Sequence, residues 1–516
     1  MIHSNLPILI PLVPLVVALL TALLVRKRLA AWSAACFATA TSLVLSLSAL
    51  ERVMTSSSGV ISYAIGNWRP PWGIEYRIDV TNAFVLVIVS AIATVVTFAA
   101  RPNIEKEIPT DRHHFFWAVW LLNIVGMLGI TVTGDAFNVY VLLEIGSLTT
   151  YTLVAMGQHT NRRALPAAMN YLVLGTIGAS FILLGIGYLY MVTGTLNMAD
   201  MANVLADPAT WETYTATITV GVVFLIIGLA IKLAVFPMHT WLPDAYAWSP
   251  SPVSALLAAT ATKVMAYVTI RFLFTILGPR LGFGHLRVDL FLMYFACVAI
   301  VVGALVAVRQ TNVKRLLAWS SIGQIGYIVL GMALVNTDGN VNVNALTGSL
   351  IHLFNHAMTK GGMFLALACV MYAVGGTSIE HLRGLGRRMP FTMAAFTVGG
   401  LGLIGVPCTA GFISKWYLVS GAFESGHIGP AFVVLFGSLI AVIYVWRIVE
   451  IIWFGHPTLD AVRNAKEVRW LQILPVWVLV GASIFFGISA TSTGTVASTA
   501  AKMLLGIGAS TTGVTP

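Results

Sequence analysis

At 516 residues, 58% of them hydrophobic and only 9% charged, this chain excludes the several soluble domains that its length alone would suggest. A formal net charge of +10 raises nucleic acid as a ligand, but Lys and Arg gather in alternate loops between apolar runs, which is a topology signal. The loops are short, and they leave no room for a nucleotide fold, a metal-cluster cage or a catalytic head.

Apolar stretches of about 18 residues or more recur from end to end, the signature of membrane-spanning helices. In chain order they lie approximately at 7–25, 31–50, 80–100, 114–133, 136–157, 164–193, 215–245, 251–277, 288–308, 314–335, 344–373, 391–424, 429–454 and 470–490, about 14 in all. A last apolar piece, 493–508, is rich in Ser, Thr, Ala and Gly and reads as a segment along the surface rather than a span. The first run ends in Arg26-Lys27-Arg28, the pattern of a retained first span rather than a cleaved signal. The longest segments between runs, about 51–79 and 194–214, read as external caps with Trp and Tyr at the interface. Basic residues continue at Arg101, Lys106 and Arg112, Arg162 and Arg163, Arg309, Lys314 and Arg315, Arg383, Arg387 and Arg388, and Arg463, Lys466 and Arg469, while 194–214 and 336–343 carry none. The positive-inside rule makes the basic loops cytoplasmic and puts both termini outside. Cys36, Cys297, Cys369 and Cys408 stand singly, without metal spacing, and read as small buried hydrophobes.

Two regions break the helical pattern at membrane depth. In 228-GLAIKLAVFPMHTWLPDAYAWSPSPVSALL-257, Pro237 is followed by Pro243, Pro250 and Pro252; in 402-GLIGVPCTAGFISKWYLVSGA-422, Pro407 and Gly411 precede Lys415. Proline and glycine inside a span free backbone carbonyls, which is tolerated where the helix lines a cavity. A broken helix in each half of a transporter points to inverted repeats meeting at a transport site. The layout makes these repeats spans 4–8 and 9–13, with no strong residue-level repeat behind it.

Within the apolar runs stand Glu144, Lys232, Lys263, His352, His356, Lys360 and Lys415. An ionisable group in a span costs about 2.5–3.5 kcal/mol on insertion scales, so it normally faces a protein interior or a water path. Seven such groups, mostly basic, read as a charge-conducting axis. Glu144 is either a locally bonded carboxylic acid or a partner for Lys232. A carboxylate beside a lysine favours the charged amine and desolvation favours the neutral one, so a lysine between those pulls can switch protonation when its partner moves. Lys232, five residues before Pro237, is too deep to snorkel to either surface. Lys263 stands on the next span, positioned to receive a proton through water, whereas Arg271 near that span's end reads as snorkelling. His239 and Asp244, on the cytoplasmic side of the first break, suit helix capping and proton relay equally. His352, His356 and Lys360 follow at i, i+4 and i+8, one stripe of a helix. They read as a proton relay or a polar helix contact, and no third acidic ligand accompanies the histidines to make a metal site. Lys415 is the candidate terminal site. Gln324 bridges water or makes a structural contact, and Glu450 and Asp135 read as interfacial.

The stretch HTWLPDAYAWSPSPVSALLAATATKVMAYVTIRF (239–272) with the Lys232 run before it resembles the antiporter-like subunits of proton-pumping complexes. So do LLEIGSL around Glu144, KRLLAWSSIGQIGY (314–327), HLFNHAMTKGGMF (352–364) and GFISKWYL (411–418). This family is shared by respiratory complex I, membrane-bound hydrogenases and Mrp-type multisubunit cation/proton antiporters. The resemblance implies an all-α polytopic membrane protein of about 14 transmembrane helices, with two inverted five-helix repeats and broken helices 7 and 12. It implies a glutamate–lysine pair at Glu144 and Lys232, a relay through Lys263 and the His352 series, and a terminal lysine at Lys415. In one complex I member that last position is glutamate. The chain stops soon after the fourteenth run, unlike the A-type member of the antiporter, and TATKVMAYVTIRF and GFISKWYLVSGA are most similar to D-type subunits.

These readings divide the chain into helices 1–3 (1–113), a first repeat with the Glu/Lys site (114–277), a second repeat with the His/Lys relay (278–454), and helix 14 with its tail (455–516). The function that follows is that of a proton-translocating membrane subunit of a multisubunit Na+ or K+/H+ antiporter. A-type and small membrane subunits would be its partners, it would reside in a bacterial or archaeal-type cell membrane, and no cofactor, metal or nucleic acid is expected. The alternative is a proton-pumping subunit of a redox complex, complex I or a membrane-bound hydrogenase. An inorganic-carbon uptake system ranks third, and a lone antiporter is disfavoured because no carboxylate pair suits an alkali cation.

Overall fold

The computed structural model describes residues 5–23, 28–56, 58–336 and 340–507, and these are helical almost throughout. Arg26 and Lys27, expected to close the first span, lie outside the described residues, as do both chain ends and residues 337–339. In order, the helices are α1 (Leu6–Ala22), α2 (Arg28–Thr55), α3 (Val80–Glu107), α4 (His113–Val132), α5 (Ala136–Ala155), α6 (Ala164–Thr193), α7 (Met198–Ala206), α8 (Pro208–Leu233), α9 (Leu242–Trp248), α10 (Ser251–Ala259) and α11 (Ala261–Ile270). They continue as α12 (Val288–Val308), α13 (Val313–Ala333), α14 (Val343–Val374), α15 (Ile379–Leu382), α16 (Pro390–Ile404), α17 (Ala410–Glu424), α18 (Ile428–Phe454), α19 (Asp460–Arg463), α20 (Trp470–Ile488) and α21 (Ala490–Leu504). Among the described residues 12 helical stretches are long and apolar enough to cross a membrane, and α1 and α16 are shorter apolar helices. The chain is a helical, multi-pass membrane protein.

A lipid environment offers backbone groups no water, so each helix end must find partners within the protein. Asp79 caps α3 by accepting from the Thr81 and Asn82 amides, and the Asn82 side chain returns the bond to the Asp79 amide. Asp135, Asn312 and Asn342 cap α5, α13 and α14 in the same side-chain-to-amide manner. At the other ends, Gly194, Gly375 and Gly405 adopt the left-handed conformation that closes α6, α14 and α16, a backbone shape that costs glycine nothing.

The axis of the molecule is α14, whose residues from Ala345 to Val370 are all buried. Around it pack α3, α10, α13, α16, α17, α20 and α21. The periphery is apolar in the opposite sense: Phe432, Phe436, Leu439, Ile443 and Trp446 of α18 face outward. Two close helix approaches set the position of the polar residues. A Cβ on Gly126 of α4 would lie 2.7 Å from the Cα of Gly146 on α5, and one on Gly228 of α8 would lie 2.6 Å from the Gly178 carbonyl of α6. Only glycine permits such backbone contact.

Several expected boundaries move. The seventh run, read as 215–245, is a helix from Pro208 to Leu233 followed by turns to Trp241; the break begins at Ala234 (φ 59°) rather than at Pro237. The 251–277 run is itself discontinuous at Thr260 (φ −124°) and ends in a π-helical turn, Arg271–Ile276. The 391–424 run divides into α16 and α17. The 51–79 cap contains a two-stranded antiparallel hairpin, β1 (Ile61–Ala64) with β2 (Glu75–Ile78), in register Ile61 to Ile78 and Ala64 to Glu75. The 194–214 segment is mostly helix, α7 and the first turns of α8. The final 493–508 piece falls mainly on α21, which buries Thr493, Ala497, Ala500 and Ala501 and packs on α14 and α3, so one face of it belongs to the interior.

Candidate proton-conducting axis

Lys232 occupies the last turn of α8, two residues before the break at Ala234. Its ammonium donates to Ser147 Oγ at 2.8 Å and stands 3.6 Å from Glu144 Oε1. Glu144 and Ser147 are one turn apart on α5, so both reach the same point. The Lys232 side chain is 5% exposed and that of Glu144 24%: the lysine is enclosed, while the carboxylate sits at the outer flank of the chain. The break is stabilised by Trp241 Nε1, which donates to the Ile231 carbonyl at 2.8 Å.

Lys263 is fully buried. Thr260 interrupts the helical ladder ahead of it, and the Ala258 carbonyl accepts from Lys263 Nζ. No carboxylate lies within ion-pair distance of Lys263 among the described residues.

His352, His356 and Lys360 are each fully buried on α14. His352 Nδ1 lies 2.9 Å from Ser414 Oγ, its ring is 5.2 Å from Tyr327, and the two imidazoles are nearly parallel at 6.4 Å. Neither nitrogen of His356, nor Nε2 of His352, meets a protein partner. Buried polar atoms left without protein partners are the usual sites of internal water. Lys360 donates to the Leu317 carbonyl at 2.7 Å and to Ser320 Oγ. Gln324, 3% exposed, has an unpartnered Oε1, and Tyr327 one turn on meets the His352 ring.

Lys415 follows the second break. Its three donors are matched by the Leu403 carbonyl at 3.0 Å, the Ile404 carbonyl at 2.8 Å and Ser438 Oγ at 2.9 Å, and its Nζ lies 4.8 Å over the Tyr327 ring. The carbonyls are those that α16 frees by ending at Gly405. Tyr327 therefore touches both His352 and Lys415.

The remaining expected residues fall in different places. His239 is buried in the first break, with Nδ1 unpartnered, its ring on Phe236 and against Trp319 of α13. Asp244 does not cap a helix: α9 has no side-chain cap, and Asp244 forms a half-exposed ion pair with Arg315 at 3.4 Å. Arg271 does not snorkel. It is buried, donating to Asp79 at 2.6 Å and to Tyr267 at 2.9 Å. Asp135 is a helix cap and Glu450 is exposed.

The sequence pattern did not single out the hydroxyls that meet the basic side chains, Ser147, Ser320, Ser414 and Ser438, or the Tyr327 ring beneath Lys415. Their signal was present as a Ser one turn from Glu144 and another beside Lys415, but serine is common enough in spans that spacing alone did not separate them. No three His, Cys, Asp or Glu side chains converge on a metal-sized site among the described residues.

Residues 133–442 match the family described as "NADH:quinone oxidoreductase/Mrp antiporter, TM". The NADH-quinone oxidoreductase subunit N of Desulforudis audaxviator is 40% identical over 449 residues, covering 87% of this chain and 86% of that protein. The D-type subunit of the Na(+)/H(+) antiporter of Bacillus subtilis is 27% identical over 487 residues, 94% of each chain. Among solved structures, a chain of the membrane-bound sulfane sulfur reductase, an archaeal respiratory membrane complex, superposes with a TM-score of 0.86 at 29% identity, covering 97% of this chain and 98% of that one. The matched segment includes every residue of the axis from Glu144 to Lys415, and the chain belongs to the transmembrane family shared by NADH:quinone oxidoreductases and Mrp antiporters.

Proposed function

We propose that this chain is the proton-translocating membrane subunit of a multisubunit Na+ or K+/H+ antiporter. The observation that carries the reading is the series of enclosed basic groups, Lys232, Lys263, the His352–His356–Lys360 stripe and Lys415, all of them except the unpartnered His356 held by hydroxyls or backbone carbonyls. A proton loads Lys232 as its distance to Glu144 changes, since an ion pair of 3.6 Å is strong enough to bias the amine and loose enough to part. The charge then passes through Lys263 and the histidines to Lys415, and each transfer alters the electrostatic cost of the next. The presence of one helix break in each half, after Leu233 and after Ile404, supports an inverted relation between 114–277 and 278–454.

Other membrane subunits cover the flank where Glu144 is a quarter exposed, because a carboxylate facing lipid at that depth is costly. A-type and small antiporter subunits fit this requirement, in a cell membrane with the basic loops cytoplasmic. Similarity over 94% of the chain to a protein named as part of an Na(+)/H(+) antiporter supports the assignment. The identity of 40% to a subunit N favours a second reading, in which the same axis serves a redox complex.

The deciding measurement is cation-dependent ΔpH in inverted vesicles from an antiporter-deficient host expressing the chain with its neighbouring genes, wild type against Lys232→Ala. Sodium- or potassium-dependent proton movement that disappears with the lysine is expected. Proton movement only upon adding an electron donor would transfer the chain to the redox complexes, and undiminished transport by a well-assembled Lys232→Ala would overturn both readings.

A further inference from the structure

Four residues at successive helical turns, Lys263, Tyr267, Arg271 and Thr275, share one face of α11 and its π-helical continuation. The first is fully buried in the axis. The last three line a cavity of about 310 Å3 at the end of the molecule that carries the hairpin, together with Arg77 and Asp79. That cavity is bounded on one side by the exposed residues Arg77 and Gly506. The stripe thus runs from the buried basic line to a space at the protein surface.

Its middle is closed by charge. Arg271 Nη2 donates to Asp79 Oδ1 at 2.6 Å, Nε donates to the Tyr267 hydroxyl at 2.9 Å, and the Tyr267 hydroxyl donates to the Thr131 carbonyl at 3.0 Å. Asn82 donates to the same carbonyl at 3.0 Å. The Arg271 guanidinium also lies 5.2 Å over the Tyr267 ring. One ion pair with its tyrosine therefore ties the start of α3, the end of α4 and the end of α11 together. A buried pair of this kind is a poor source of net stability, because both charges lose their hydration. A fixed arginine at a constriction does, however, repel cations electrostatically while hydroxyls and waters beside it can still pass protons.

We propose that Asp79 and Arg271 form a charged plug between this hairpin-side cavity and Lys263. The cavity is the port through which Lys263 exchanges protons with that face when the pair parts, and Arg271 excludes alkali cations from it. The inference rests on the proton-translocating reading above and adds to it an opening at Lys263, partway along the path. Tyr267 and Arg271 act as positioning residues for that exchange.

The test uses the whole complex in vesicles, with the decay of an imposed pH gradient followed by dye in the absence of any driving cation or electron donor. Asp79→Asn removes the charge and keeps a side chain able to cap α3. It should raise the passive proton leak several-fold, and adding Lys263→Met should return the leak to the wild-type rate. Arg271→Gln parts the same pair from the other side and should behave alike. No rise in either variant, or a rise that Lys263→Met leaves in place, would overturn the plug, since a merely loosened helix packing would leak regardless of the lysine. With the fold intact, Thr275→Cys in a chain whose four native cysteines are replaced by alanine should react with a membrane-impermeant thiol reagent only from the hairpin side. Failure to react from that side would overturn the port. These outcomes are independent of Lys232→Ala, which tests proton translocation itself.

Discussion

Lys232 Nζ and Glu144 Oε1 stand 3.6 Å apart, inside ion-pair distance and beyond a normal hydrogen bond, while Ser147 holds the same ammonium at 2.8 Å. The serine fixes where the lysine points and the glutamate supplies the field it feels. Ser147→Ala should therefore slow transport without abolishing it: a hydrogen bond to a charged group is worth about 1.5–3 kcal/mol, so a loss of roughly tenfold to a hundredfold is expected. Glu144→Gln, which keeps the shape and removes the field, should abolish transport in a complex that still assembles. Initial rates of ΔpH formation, normalised to assembled complex, separate the two; equal rates for both variants would contradict this division of roles.

The position of Glu144 depends in turn on Gly126. With a Cβ there only 2.7 Å from the Cα of Gly146, Gly126→Ala must push α4 and α5 apart, carrying Glu144 away from Lys232. Overpacking of this kind costs about 1–3 kcal/mol. The variant should show a lower thermal midpoint in detergent and reduced transport together. Gly187→Ala is the control, because a Cβ there meets nothing within 4 Å, and it should leave both measurements unchanged.

Much of this was legible in the sequence, for physical reasons that differ by residue. Apolar length reports spans directly, so among the described residues the apolar runs fall mostly on helix. Charges inside those runs pointed to the enclosed basic residues, because hydrocarbon makes each one conspicuous. Partnering was not legible in the same way. Arg271 near a span end looked free to snorkel, yet Asp79, 192 residues away in sequence, holds it inside. Asp244 suited capping and proton relay equally; it caps no helix and pairs with Arg315, since helix termini depend on backbone path as much as composition. The discontinuity at Thr260 has no proline or glycine to announce it. The hairpin in 51–79 escaped because strands of four residues show too little alternation to separate from a loop.

His356 offers a clean separation of conduction from packing. Neither ring nitrogen has a protein partner, so His356→Leu deletes no protein hydrogen bond and places an apolar side chain of similar bulk in a buried site. Stability should be nearly unchanged or slightly higher, because a buried polar group without a partner is a cost. Transport should fall at least roughly tenfold if the imidazole relays the proton. The comparison of thermal midpoint with transport rate decides the matter: a variant that is destabilised yet conducts normally would make His356 a structural contact.

Lys415 should behave in the opposite way, because its ammonium is bound up with the fold. It satisfies the Leu403 and Ile404 carbonyls that the end of α16 leaves open, and Ser438 besides. Lys415→Met keeps an unbranched side chain only one atom shorter but withdraws all three donors from a buried break. Each acceptor left unsatisfied costs about 1–3 kcal/mol, so the thermal midpoint should fall clearly, in contrast to His356→Leu. Lys415→Arg keeps charge and donors, and the carbonyl pair can accept two guanidinium N–H groups in place of the ammonium. It should recover much of the stability while transport stays low, because arginine does not give up its proton. Stability rescued by arginine without transport would show that the cation at the second break both seals the broken helix and must exchange a proton; transport rescued along with stability would reduce Lys415 to a seal.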